Sequence, residues 1–328
     1  MNYNDWIPNF QSKFKNELVS YIKYKRANGY KYGKPICNML LRLDNFFLKL
    51  ENSELIINQD VVDKWLKTCD LSNKQVTKGR YYSTISCFCE YLRCLNYDNI
   101  IKPQSYKFSW KSNFIPYIFS LEQVRKIMTI LKNKLNENNI DSYSLYILIC
   151  LYYCCGLRRM EALKLKLEDY NSIDKTITIQ KSKNNTSRII PLTDYLNDLL
   201  KKYLTIRNST LDYIFIDKHN QKFGEGKLYL RFKKLLKEAD IPLTHDGKTQ
   251  RLHDLRHTFS IHTLKRMENK GFDLYTSLPI LSVYLGHRSI VETEYYLRLV
   301  KNENENVVNK SKNYTKNLYG KKDKFYEE

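Results

Sequence analysis

At 328 residues the chain is long enough for two domains and a sizeable core, which excludes a small scaffold dependent on disulfides or metals. Lys plus Arg outnumber Asp plus Glu by 55 to 35, a formal net charge of +20, and such an excess favours a polyanion as partner, nucleic acid first, although an AT-rich genome would also load solvated faces with lysine. The amino terminus MNYNDWIPNF lacks the pattern of a secretory signal, the longest apolar run, Leu145 to Cys155, falls well short of the roughly 20 residues that span a bilayer, and the eight cysteines form no CxxC pair. A cytoplasmic protein that begins at Met1, with reduced thiols, no membrane segment and no metal site, is the expectation.

From about Phe10 to Asn96 apolar residues recur at helical spacing, through Phe10, Phe14 and Leu18, through Leu40, Leu41, Phe46 and Phe47, through Val61, Val62, Trp65 and Leu66, and through Tyr82, Ile85, Cys89 and Leu92. Four helices joined by short polar connections at Asn28-Gly29 and Asp70 to Asn73 make a compact bundle. Periodicity stops between Pro103 and Pro116, as in an inter-domain linker, and Ser120 with Gln123 forms a capping box that opens a new helix. An apolar helix ending at Gly156 and a second helical stretch from Leu157 to Leu167 follow. Ile177 and Ile179, then Ile189 and Ile190, flank Asn184-Asn185 and predict a hairpin. Further helices are expected from Thr193, from about Lys227, from His253 and from Tyr275, before the segment that carries Tyr296. After Val300 only sparse apolar residues, Val307, Val308, Leu318 and Tyr319, interrupt a polar tail expected to be mobile unless it docks on a partner. The expected organisation is a helical domain over 1–102, a linker over 103–119, a second domain over 120–300 and a tail over 301–328, mostly α with a small antiparallel sheet (α+β).

Three segments combine cations, imidazoles and a late phenol. In GLRRME, Arg158 opens a helix just after the turn at Gly156, a place suited to an anion, and Glu161 lies on the same face where it can orient the guanidinium. An ordinary surface ion pair is the equally weighted alternative for this segment alone. In HDLRH, the i, i+3 spacing of His253 and Arg256 points an imidazole and a forked cation at one small volume. His257 and His262 are read as structural residues. In LGHRSIVETEYYL, Gly286 lets the chain turn so that His287 overhangs a site built by other segments, and Tyr296 lies nine residues further on.

The ordered set GLRxxE, a lysine in a hairpin before RxxPL, HxLRH, LGH and a tyrosine nine residues beyond that histidine resembles the tyrosine recombinases, the integrase and Xer-like enzymes. The resemblance extends over nearly the whole chain and implies a four-helix, SAM-like core-binding domain before a catalytic domain. It implies that Tyr296 attacks a DNA phosphate to give a 3′-phosphotyrosine, that Arg158 and Arg256 hold the non-bridging oxygens, that His253 serves proton transfer and that His287 donates to the phosphate. Lys183, five residues before Arg188, fits the register of the general acid, with Lys181 as its rival on the same strand face; Tyr295 is the weaker rival of Tyr296. Ser182 and Asn184-Asn185 stand where family members often carry glycine. No metal or cofactor is implied. The implied partners are double-stranded DNA, further copies of the chain in a tetrameric synapse, onto which the tail would dock, and a second recombinase or accessory protein. A first domain starting within about ten residues of Met1 leaves no room for the arm-binding domain of lambda-like integrases, which favours an Xer-like enzyme or one carried by a mobile element. Two alternatives are a catalytically inactive DNA-binding regulator of the same fold and a type IB topoisomerase.

Overall fold

The computed structural model describes residues 6–50, 54–68, 75–108, 115–136, 139–180 and 187–287, with 289, 290, 293, 294 and 296 beyond them. The hairpin tip with Lys181 and Lys183, the connection at 69–74, Tyr295 and the tail 301–328 therefore lie outside the described residues. The chain divides into two compact units, Met1–Phe114 and Ile115–Glu328.

The first unit holds α1 (Lys15–Ala27), α2 (Lys34–Leu48), α3 (Gln59–Lys67) and α4 (Gln75–Cys94). Their apolar stripes meet in a core built on Phe14, Leu18, Leu40, Phe47, Val62, Trp65, Ile85 and Leu92, with the rings of Phe14 and Phe47 at 4.6 Å. Phe10 is buried but does not belong to α1. The buried carboxylate of Asp44 accepts from the backbone N–H groups of Gln11 and Ser12 at 2.8 and 3.0 Å, so side-chain bonding to a neighbouring helix replaces helical bonding there. On α3 the Asn58 side chain accepts from Val61 N–H and caps the helix.

In the second unit the Ser120–Gln123 capping box opens α5 (Leu121–Asn133). α6 (Ile140–Cys154) is buried along almost its whole length, as a helix apolar on every side must be. Gly156 follows with φ +60°, and a Cβ there would meet the Phe259 ring at 2.5 Å, so only glycine fits both the turn and the close approach. The helical stretch expected over 157–167 is cut short: α7 spans only Arg159–Leu163. The chain after it is drawn into pairing with a distant segment, with Leu167 N–H donating to Asp212 and Ile214 N–H to Leu165. A 3-10 turn over Leu167–Asp169 leads into β1 (Tyr170–Asn171), β2 (Thr176–Ile179) and β3 (Arg188–Pro191), an antiparallel sheet in that order with Ile177 opposite Ile190 and Ile179 opposite Arg188. Ile177, Ile179 and Ile190 face the core and Ile189 faces out, as strand alternation requires. α8 (Asp194–Ile206, capped by Thr193), α9 (Glu225–Glu238), α10 (Leu252–Asn269) and α11 (Leu274–Leu285) complete the unit. α11 ends at Gly286, whose φ of +65° is the left-handed conformation of a glycine stop. Among the described residues no helix is long and apolar enough to cross a membrane.

Candidate active site

The turns after α6 and α11 converge on the first turn of α7, and the arginines gather there. The Glu161 carboxylate receives the backbone N–H of Arg158 at 2.9 Å, Arg158 Nη1 at 2.9 Å, and Arg188 Nη2 and Nη1 at 2.7 and 3.2 Å. Arg256, 1% exposed, comes to 4.0 Å from the same carboxylate. Its Nη1 and Nη2 donate to the carbonyls of Gly156 and Leu285 at 2.6 and 2.8 Å. Arg158 Nη2 donates to the Gly286 carbonyl at 2.7 Å. These bonds hold three guanidinium groups, with one carboxylate between them.

Burial works against ionisation of Glu161, but the hydrogen bond and charge of Arg188 and the two bonds from Arg158 outweigh it and bring the carboxyl down to about 2. Burial and the neighbouring Arg158 bring Arg256 down to about 10, still charged at neutral pH. Three cations around one carboxylate leave an excess of two positive charges in a largely buried space. Buried charge of one sign is costly unless countered, so the cluster is suited to receive an anion with several acceptor oxygens.

Across from the arginines stand the imidazoles and the phenol. Tyr296, 3% exposed, packs with Ile261, Leu264, Leu278, Leu281 and Leu285. Its hydroxyl lies 2.9 Å from His257 Nδ1, and its ring lies 6.3 Å from that of His287, inclined by 25°. His287 Nδ1 is 2.7 Å from the hydroxyl of buried Thr293. The His253 ring meets that of His257 edge-on at 4.6 Å, and the residue is exposed. Packing by protein atoms and the charges of Arg256, Arg251 and Arg158 bring His253 down to about 4. Burial and nearby positive groups bring His257 and His287 down to about 3. All three are neutral at pH 7.

The structure thus gathers Arg158, Glu161, His253, Arg256, His287 and Tyr296 around one place, while Lys181 and Lys183 lie outside the described residues. Two further side chains reach the cluster. His257, read from the sequence as structural, contacts the Tyr296 hydroxyl; its i, i+4 spacing from His253 puts both on one helix face. His262, by contrast, bonds the Tyr153 hydroxyl at 3.0 Å, away from this cluster. Arg188 served only to mark the register of the hairpin, whereas its side chain completes the grip on Glu161. It is a cation placed opposite Ile179 at the root of the hairpin.

Comparison with known proteins gives a consistent result. The model of the phage integrase family matches residues 118–303. A Sinorhizobium fredii protein named as an integrase/recombinase is 29% identical over 191 residues, 56% of this chain and 61% of that protein. Tyrosine recombinase XerA of Pyrococcus furiosus is 28% identical over 210 residues, 63% of this chain and 65% of that protein. The chain thus spans somewhat under two thirds of the length of these curated relatives. Among solved structures, XerH bound to a palindromic difH substrate after cleavage superposes with a TM-score of 0.63 at 20% identity, over 92% of this chain and 90% of that one, and shares its fold.

Proposed function

Given that the chain belongs to the phage integrase family, we propose that it is a site-specific tyrosine recombinase that cuts and rejoins double-stranded DNA through a 3′-phosphotyrosine, of the Xer-like kind or carried by a mobile element. The observation that carries this reading is the group of three arginines on one carboxylate, Arg256 buried and Arg158 and Arg188 partly so, next to a phenol with an imidazole on its hydroxyl. Arg158 and Arg256 hold the two non-bridging oxygens and stabilise the charge that grows on them during attack, catalysis by donors fixed in advance. Glu161, gripped by Arg188, keeps Arg158 aimed. His287 donates to the phosphate and His253 contacts it and serves proton transfer. Tyr296 Oη bonds to phosphorus as the P–O5′ bond breaks. Lys183, or its rival Lys181, supplies the proton that the 5′ oxygen takes. The ester keeps the energy of the broken bond, so a second 5′-hydroxyl reverses the step and joins a new strand.

The helical unit 1–102 acts as core-binding domain, 120–300 as catalytic domain, and the tail 301–328 docks on a neighbouring subunit in a tetramer on DNA, in the cytoplasm. The formal charge of +20 suits a duplex partner. The test is to trap covalent protein–DNA adducts in cells carrying the gene with its flanking DNA and to sequence the attached ends. Adducts at one repeated sequence, absent from Tyr296→Phe, are expected; adducts that persist in that variant would assign the nucleophile elsewhere.

A further inference from the structure

Two histidines on one face of α10 reach the site, and the reading above uses His253 alone. Resting on that reading in all but the proton-transfer role it gives His253, we propose that His257, in place of His253, is the group that aims the Tyr296 phenol and accepts its proton during attack. A general base has to lie within about 2.6–3.2 Å of the proton's heavy atom, and His257 Nδ1 stands 2.9 Å from Tyr296 Oη. The other imidazoles are otherwise disposed: His287 Nδ1 is engaged by Thr293 at 2.7 Å, and His253 turns its ring edge-on to His257. Both partners are held, His257 by the second turn of an 18-residue helix and Tyr296 by the apolar side chains of Ile261, Leu264 and Leu285. A phenol with a pKa of about 10 needs such a base at neutral pH.

The charges facing His257 explain both its readiness and its restraint. Burial and the positive groups around it, His253 when protonated, Arg251, Arg256 and His287 when protonated, keep the imidazole neutral, so Nδ1 offers a lone pair in the tautomer that carries hydrogen on Nε2. The same cations make it a weak base while no anion is present. A phosphodiester brings a negative charge among them and opposes their effect, which raises the basicity of His257 when substrate is in place.

The balance of the step is complete. The Tyr296 O–H proton passes to His257 Nδ1 as the Oη–P bond forms. The P–O5′ bond breaks, and the leaving oxygen takes a proton from the hairpin lysine. In religation the imidazolium returns its proton to the departing phenolate.

The test compares wild type with His257→Gln, which retains hydrogen-bonding atoms but takes up no proton near neutrality. Single-turnover adduct formation is measured on a duplex carrying the sequence found attached to Tyr296, once with the natural scissile phosphate and once with sulfur at the bridging 5′ position, a leaving group that needs no acid. His257→Gln is expected to bind the duplex and to form adduct about 10²- to 10⁴-fold more slowly on both, with the deficit shrinking as pH approaches about 10 and solvent ionises the phenol. Wild-type rates in the variant, or full recovery on the sulfur duplex, overturn the proposal. Nitrogen-15 shifts of His257 in the wild-type protein provide a check that needs no substitution: a bare Nδ1 is expected at neutral pH, and a protonated Nδ1 overturns the proposal even where His257→Gln fails to fold. Adduct that persists in Tyr296→Phe, or is absent in wild type, strikes the underlying reading and not His257 alone.

Discussion

The two halves of the candidate site follow opposite electrostatic plans. On one side the largely buried Arg158, Arg188 and Arg256 give their N–H groups to Glu161 and to the carbonyls of Gly156, Leu285 and Gly286. On the other side His253, His257 and His287 are neutral around Tyr296. Burial is the larger cause of that neutrality, and the first half adds to it, because fixed positive charge beside an imidazole penalises its protonated form. A single cluster therefore provides both an attractive field for an anion and unprotonated acceptors for a proton, the two requirements for a phenol attacking a phosphodiester.

The largest effect is expected from removing the charge that holds the cationic half together. In Glu161→Gln three guanidinium groups lose their common counter-charge, and breaking a buried ion pair costs about 3–5 kcal/mol. Urea unfolding should show a loss of that size in the protein alone, with part of it recovered by sulfate, which can take the place of the carboxylate. A variant as stable as wild type would mean that carbonyl oxygens suffice to hold the arginines and that Glu161 contributes little to the contrast.

Gly156→Ala strains the same half through the backbone. A left-handed conformation costs a side-chain-bearing residue about 1–2 kcal/mol. The new Cβ would also lie 2.5 Å from the Phe259 ring and 3.2 Å from Leu285, overpacking that adds about 1–3 kcal/mol. The Gly156 carbonyl anchors Arg256, so adduct formation should fall together with Tm. Preserved activity in a destabilised Gly156→Ala would show that Arg256 keeps its aim when its anchor moves.

The neutral half is open to pH. Because the folded protein holds these histidines below the unfolded value of about 6.5, the unfolded chain binds more protons once pH drops below that value, and stability present above it is lost as pH falls toward 4. Glu161, held at about 2, adds a loss of the same sign only below about 4.5, so the window from 6.5 to 4.5 belongs to the histidines. Unfolding free energy measured across that window should fall more steeply in wild type than in His257→Gln. Equal slopes would mean that His257 is not the depressed group.

How much of this was legible in the sequence depended on the distance over which each feature is encoded. The Ser120–Gln123 box, the Thr193 cap, the isoleucine hairpin and the Arg158–Glu161 pair are local, and their spacing alone carries them. α7 was overextended because its end is set by backbone pairing with residues near Asp212 and Ile214, some fifty positions away. Arg188 reaches Glu161 only once the hairpin folds back, and Arg256 is anchored by carbonyls of two separate turns. The i, i+4 relation of His253 and His257 was visible, but which imidazole meets Tyr296 is decided by how the chain returns after α11. Hydrophobic periodicity carries no information about that return.

The smallest effect is expected where that return is pinned. Thr293, fully buried, places its hydroxyl 2.7 Å from His287 Nδ1, and Thr293→Val removes the hydrogen bond while nearly preserving shape. A neutral hydrogen bond contributes about 1 kcal/mol net, so urea unfolding should register a loss near that value. The phenol is aimed separately, by His257, so adduct formation should slow only several-fold, through a His287 free to rotate away from the phosphate. A drop as large as that of His257→Gln would mean that the two contacts act as one unit, and the division of labour between the imidazoles would have to be redrawn around Thr293 and His287.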